Sequence, residues 1–192
     1  MIEPIQTLSE LLRSPATKWP EIASDRSMAA AELIRTAALL ALIPALSRAG
    51  GLILRGSPNP YEAVSPLGIV SSAVATWLLF LLIPLIMTIL LFRLSPVFGG
   101  KFDRNGAYLT VLYAALPTWL AGLVFVPFAL SDAMALIVGL AGFSYLLYYG
   151  SRAVMSVPED KAIGLVLVTA ALWFIIYFAL YVLLDSFMAL RG

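Results

Sequence analysis

The sequence predicts an all-α, polytopic integral membrane protein, a helical bundle of five transmembrane helices with a cytosolic N-terminus. Of its 192 residues, 61% are apolar and 12% are charged, about half the ~25% of charged residues usual in soluble domains. Mean hydropathy is +0.96. The charges are also clustered, because nine of them fall in the first 35 positions. A water-soluble domain of this size would expose large apolar patches and aggregate, so that class is excluded.

Windows without charge predict where the chain crosses the membrane. Four windows contain no Asp, Glu, Lys or Arg: residues 63–92, 105–131, 133–151 and 162–184. Each is close to or above the ~20 residues that cross the hydrocarbon layer. They predict four spans, over about 67–92, 107–130, 133–152 and 162–187. A first span is predicted over about 35–54, although Pro44 and Arg48 interrupt it, and the sequence leaves open whether it crosses.

The distribution of basic residues predicts the orientation. Lys and Arg collect on the cytoplasmic side of membrane proteins. Five spans with the N-terminus inside place nine basic residues inside and three outside, whereas four spans give seven against five. We therefore predict a cytosolic or interfacial segment over 1–33 and a five-helix membrane domain over 34–192. The N-terminal segment has leucines at helical spacing, which fits either a helix lying on the membrane or one docked on the protein.

Small residues and prolines inside the spans predict how the helices meet. An alanine recurs every fourth position in the first span, and such a face lets helix backbones approach closely. The alanines are Ala37, Ala41, Ala45 and Ala49. Four in-span prolines fit either broken helices around a pathway or the ordinary tolerance of membrane helices for proline. These are Pro44, Pro84, Pro117 and Pro127. Ser156 and Glu159 have the spacing of a capping box before the last span.

Few side chains at membrane depth can carry chemistry, and we take six as candidate binding residues. Ionisable residues inside spans are functional candidates by default, and Arg48 and Asp185 either pair or reach the headgroups separately. Trp173, Tyr177 and Tyr181 share one helix face that leads to Asp185. Arg152 lies four residues after Tyr148, at the spacing of a cation–π contact. An interfacial aromatic belt is the alternative explanation for the tyrosines.

The residue inventory argues against catalysis. The chain has no His and no Cys, which removes the commonest general base and the thiolate metal ligands. No catalytic residue, cofactor or metal site is predicted, and we expect a protein that is not an enzyme. A net charge of +1 gives no general attraction to nucleic acid. The expected partners are the lipid bilayer, an anionic lipid or a membrane protein at the basic inner rim, and a second copy of the chain.

Five segments carry a resemblance to a known family. They are SPATKWPEIA at 14–23, FGG at 98–100, YAALP at 113–117, YLLYYG at 145–150 and MSVPEDKA at 155–162. In order and spacing the chain resembles the Yip-one family of Ypt/Rab-interacting membrane proteins, particularly its short prokaryotic branch. The resemblance implies a five-span bundle with a cytosolic N-terminus, in a bacterial cytoplasmic (inner) membrane, and no catalytic residues.

Two functional hypotheses remain at this point. The first is a non-enzymatic multi-pass membrane protein that binds a protein partner or lipid and organises the membrane or a complex. The alternative is a small transporter or lipid-translocating protein, which would use the in-span prolines and the aromatic face ending at Asp185.

Overall fold

The fold is a bundle of α-helices, with no strand among the residues that the structure describes. The computed structural model describes residues 4–24, 30–56, 65–125 and 132–189. The α-helices in chain order are α1 (Pro4–Arg13), α2 (Pro15–Ser24), α3 (Ala30–Leu40), α4 (Leu42–Arg55), α5 (Pro66–Leu94), α6 (Arg104–Ala121), α7 (Asp132–Ala153) and α8 (Glu159–Ala189). Short 3₁₀ turns, Ser95–Phe98 and Gly122–Phe125, extend α5 and α6.

Side-chain N-caps explain where two helices start, whereas a third helix does not start at its predicted cap. Ser65 accepts a hydrogen bond from the Gly68 amide at 3.0 Å, and Asp103 accepts one from the Gly106 amide at 3.0 Å. Both are N-caps that satisfy free amides of a first turn. The predicted capping box at Ser156 is wrong, because α8 begins at Glu159 itself and Ser156 has a φ of +55°.

Three helical stretches are long and apolar enough to cross a membrane: Ile34–Leu54, Pro66–Phe98 and Glu159–Leu183. They coincide with the first, second and fifth predicted spans. The third predicted span, 107–130, is shorter as a helix, since α6 ends at Ala121. Most residues of α6 are buried, so this helix contacts other helices over most of its surface. The part of the chain that the structure describes is thus all-helical and contains three membrane-length helices.

The first predicted span is two helices instead of one. The chain turns at Ala41, between α3 and α4. The indole of Trp77 on α5 donates a hydrogen bond to the Ala38 carbonyl at 2.9 Å, next to the break. Ala37, Ala41 and Ala45 are buried, which confirms that the alanine face packs against neighbouring helices.

Prolines in the spans make close contacts with glycines on neighbouring helices. A Cβ on Gly122 would lie 2.6 Å from the Cβ of Pro44, and one on Gly142 would lie 2.5 Å from the Cβ of Pro117. No side chain fits at either glycine without a shift of the backbone or ring. Pro127 lies outside the described residues. Two of the four prolines are therefore explained by helix packing.

Pro84 is compensated differently. A proline removes the amide that would bond the carbonyl four residues earlier, here that of Phe80. The indole of Trp119 on α6 donates to this carbonyl at 3.1 Å. The break in the α5 ladder thus becomes a polar contact between α5 and α6.

The N-terminal helices are docked on the bundle. Leu11 of α1 and Trp19 of α2 are fully buried, and α2 packs against α7. Of the two arrangements considered for this segment, docking on the protein is the one that the structure shows for α2.

Candidate functional site

Trp19 joins three of the segments that carry the family resemblance. Its ring meets Tyr113 of α6 edge-on, with 6.1 Å between ring centroids. A Cβ on Gly150 of α7 would lie 2.7 Å from Cη2 of Trp19, so only glycine leaves room for the indole. The side chain of Trp19 is completely buried. The segments at 14–23, 113–117 and 145–150 therefore meet around one ring.

The remaining two segments pack against each other. Gly99 has a φ of +79°, a left-handed conformation that glycine adopts without strain. A Cβ on Gly100 would lie 2.6 Å from Cγ2 of Val157 and 2.9 Å from the Met155 carbonyl oxygen. The same carbonyl accepts a hydrogen bond from the Lys101 amide at 2.7 Å. We call the region formed by residues 14–24, residues 92–117 and residues 145–162, which contains all five segments, the motif end of the bundle.

Arginines at the motif end lie on aromatic rings. Arg93 lies on Phe92, with its guanidinium carbon 5.7 Å from the ring centroid. The same distance is 5.9 Å for Arg104 on Tyr108 and 5.2 Å for Arg152 on Tyr148. The last contact confirms the predicted Tyr148–Arg152 pair. Such contacts hold a cation in place at an exposed site for ~0.5–1 kcal/mol.

Only one of these arginines is neutralised within the described chain. Arg152 forms an ion pair with Glu159 at 2.6 Å and donates to the Tyr148 hydroxyl at 3.2 Å. It therefore ties the end of α7 to the start of α8. Among the described residues no carboxylate pairs with the other cations of the motif end, which are Arg93, Lys101, Arg104 and Lys161.

Lys18 ties the two N-terminal helices together. Its ammonium lies 2.7 Å from a carboxylate oxygen of Glu10 and 2.9 Å from one of Glu21. Hydrogen bonds to Glu10 and then Glu21 raise the pKa of Lys18 well above its usual range. These two acids of α1 and α2 are thus engaged by Lys18, and they do not cancel the basic charge of the motif end.

The predicted aromatic face on α8 forms a continuous stack. Trp173 stacks on Tyr177 at 5.6 Å and 7° between planes, and Tyr177 on Tyr181 at 6.4 Å and 10°. Phe143 of α7 touches the buried end of the stack, with its ring 6.2 Å from that of Trp173. Exposure rises along it, from 2% at Trp173 to 46% at Tyr181. The indole N–H of Trp173 is buried without a hydrogen-bond partner.

The six predicted binding residues do not form one site. Arg48 on α4 donates to the Ser72 hydroxyl on α5 at 3.4 Å. The side chain of Asp185 lies outside what the structure describes, so neither its pairing with Arg48 nor its place beside the stack is tested. Arg152 lies near the start of α8, about 33 Å along that helix from Tyr181 at 1.5 Å per residue. The binding role of all six stays a prediction.

Sequence reasoning missed residues that the structure brings together. Trp19 lies within a recognised segment, but only the structure shows it as the contact between three of them. The Arg104–Tyr108 pair has the same four-residue spacing as Tyr148 and Arg152, and that spacing was a usable signal. The Phe92–Phe102 contact, with centroids 3.9 Å apart, joins residues too distant in sequence to be predicted.

Comparison with known proteins places these contacts in a family. The family model described as the Yip1 domain matches residues 9–183. No curated protein and no solved structure matches the chain. The match covers nearly the whole chain and contains all five segments that meet at the motif end. The chain belongs to the Yip1 domain family of membrane proteins.

Proposed function

We propose that this protein is a non-enzymatic membrane protein that binds an anionic ligand at its motif end and so organises the membrane or a membrane complex. The observation that supports the proposal most directly is the set of unpaired cations described above. They surround segments that pack closely against one another. A rigid, exposed and positively charged surface suits an anionic lipid or an acidic face of another membrane protein.

The orientation belongs to the same proposal. α6 and α7 supply the third and fourth spans, between the three membrane-length stretches, and the motif end faces the cytosol. This gives five spans with the N-terminus inside, in a bacterial cytoplasmic membrane. Each basic residue near an anionic leaflet contributes about 1 kcal/mol to attraction. A reporter fused after Gly192 should be active only outside the cytosol, and cytosolic activity would contradict five spans.

The binding proposal is tested by removing the unpaired cations together. The variant Arg93→Gln, Lys101→Gln, Arg104→Gln, Lys161→Gln keeps unbranched polar side chains of similar helix propensity while removing four charges. The full chain, purified in mild detergent from its native membrane, should retain anionic lipid or a stoichiometric protein partner, and the variant should lose most of it. Mass spectrometry of the bound lipid and protein measures the difference.

A matched control removes a cation elsewhere. Arg13→Gln deletes an exposed positive charge on α1, outside the motif end, and should leave retention unchanged. Equal retention by the wild type and the fourfold variant, with unchanged helicity by circular dichroism, would overturn the proposed function.

The transporter alternative has one supporting observation, the stack on α8 with the unpartnered indole of Trp173. The prolines that first suggested it are better explained, because Pro44 and Pro117 pack on glycines and the break at Pro84 is closed by Trp119. In reconstituted vesicles, a solute or lipid flux abolished by Trp173→Ala would favour transport over binding.

A further inference from the structure

A shallow groove lies between α3, α5 and α6, close to the motif end. It is lined by Ile34 and Ala37 of α3, Pro84 and Thr88 of α5, and Tyr108 of α6, among others. It is an open surface groove and not an enclosed cavity. Thr88 lies six residues before the end of α5 and Tyr108 four residues after the start of α6, or about 9 Å and 6 Å along the helices. The groove therefore lies within two turns of the unpaired cations.

The lining presents hydrocarbon. Thr88 and Tyr108 are the hydroxyl residues in the wall, and the Thr88 hydroxyl donates to the Pro84 carbonyl at 2.9 Å. Pro84 has no amide hydrogen, and the Phe80 carbonyl that it leaves free is bonded by Trp119. The irregular stretch of α5 that forms this wall thus has its polar groups satisfied by protein. Apart from the Tyr108 hydroxyl the wall is apolar, which suits an alkyl chain.

One arginine lies beside the groove. Arg104 lies over the ring of Tyr108 at 5.9 Å, and Tyr108 is itself part of the wall. Among the described residues no ion pair neutralises Arg104. A guanidinium binds phosphate through paired hydrogen bonds, which is stronger and more directional than a lysine contact.

We infer that this groove binds one acyl chain of an anionic phospholipid of the cytosolic leaflet, with the lipid phosphate on Arg104. The apolar wall holds the chain, and the arginine selects a phosphate whose headgroup does not cancel its charge. This inference rests on the proposed function for its orientation and narrows it to one ligand class at one place.

The test measures lipid preference on the full chain in detergent. Native mass spectrometry with equal amounts of phosphatidylglycerol and phosphatidylcholine should show preferential retention of phosphatidylglycerol. Arg104→Gln removes a charged hydrogen bond and should reduce that preference about tenfold. Arg13→Gln is the matched control, since Arg13 is an exposed arginine at the end of α1, outside both the motif end and the groove. It should leave the preference within about twofold of wild type.

Two further arms separate the groove from general charge attraction. Ile34→Trp fills the groove from an exposed position and should reduce phosphatidylglycerol retention with Arg104 intact. Inorganic phosphate at matched concentration should not displace the lipid, because it lacks the chain. Displacement by phosphate, or a wild type without preference for phosphatidylglycerol, would overturn the inference.

Failure of this inference is distinguishable from failure of the proposed function. A loss of binding in the fourfold variant with no loss of lipid preference in Arg104→Gln would contradict a groove site and still agree with binding spread over the motif end. The fourfold variant decides the proposed function separately, because it also removes binding to a protein partner.

Discussion

The two ends of this bundle are built on different principles. At the motif end, backbone and side chains approach so closely that Gly100, Gly106 and Gly150 admit no Cβ without displacement of a neighbour. At the opposite end, large apolar side chains are mostly exposed, including Ile53 at 67%, Leu54 at 72% and Leu67 at 78%. Lipid is as apolar as leucine and gives no hydrophobic drive for helices to associate. Gly122 also packs closely on Pro44 at the far end, but hydropathy accounts for more of that end. The motif end depends more on shape, and all five family segments lie there.

The four tryptophans sharpen this contrast. Trp77 and Trp119 donate their indole N–H to carbonyls at helix breaks, those of Ala38 and Phe80. Trp19 and Trp173 are buried with that N–H unpartnered. Trp77 and Trp119 thus bond carbonyls that lie at helix breaks, whereas Trp19 and Trp173 contribute buried ring surface. Substitutions that separate ring from N–H can therefore show which principle holds each region.

The largest expected effect is the loss of the Trp19 ring. Trp19→Ala removes a fully buried ring between α2, α6 and α7, and large-to-alanine changes of this kind cost ~3–5 kcal/mol. We expect α2 to detach while the membrane helices persist. Unfolding by sodium dodecyl sulfate in mixed micelles measures the stability, and trypsin cleavage after Lys18 reports the detachment.

Gly150→Ala approaches the same contact from the other side. Its Cβ would lie 2.7 Å from the Trp19 ring, so tryptic cleavage after Lys18 should also become faster. If both variants leave cleavage and stability unchanged, α2 is not held by this contact, and the distinction between the two ends is lost.

The next effect separates hydrogen bonding from ring packing. Trp119→Phe leaves the Phe80 carbonyl without its donor in a buried position, at an expected cost of ~1–3 kcal/mol beyond the smaller ring. Trp19→Phe makes the same change of volume at an equally buried site whose N–H has no partner. Trp119→Phe should therefore lower the free energy of unfolding more than Trp19→Phe does. Equal costs would show that the Trp119 hydrogen bond adds no stability.

The sequence predicted the helical elements well and the contacts between them poorly. Charge-free windows located α5, α7 and α8 within a few residues, because a long helix without charged residues is visible in the sequence itself. The break at Ala41 was missed, since the carbonyl it frees is bonded by Trp77 on α5, 39 residues away. Arg48 was expected near Asp185 or the headgroups, and its contact with Ser72 depends on the pairing of α4 with α5. Periodicity predicted the α8 stack because all its members share one helix.

A smaller effect is expected at the junction of α7 and α8. Arg152→Gln removes the ion pair with Glu159 and the contact with Tyr148, at the motif end but near its surface. Exposed pairs contribute ~0.2–1 kcal/mol, and screening by salt should reduce the difference further. Unfolding measured at low and high salt checks this, with Glu159→Gln as the matched variant. A loss of unfolding free energy larger than that of Trp119→Phe would mean that Arg152 contributes more than an exposed ion pair does.

The smallest effect is expected at the exposed end of the α8 stack. Tyr181 is 46% exposed and stacks on Tyr177. Tyr181→Leu replaces one apolar surface with another and should change stability by less than about 0.5 kcal/mol. Trp173→Leu, at the buried end of the same stack, should cost several times more because it leaves a cavity. Mixed-micelle unfolding of both variants compares the two ends of one helix directly. A loss at Tyr181 as large as that at Trp173 would mean that something beyond lipid contact fixes the far end, and the contrast between the two ends would fail.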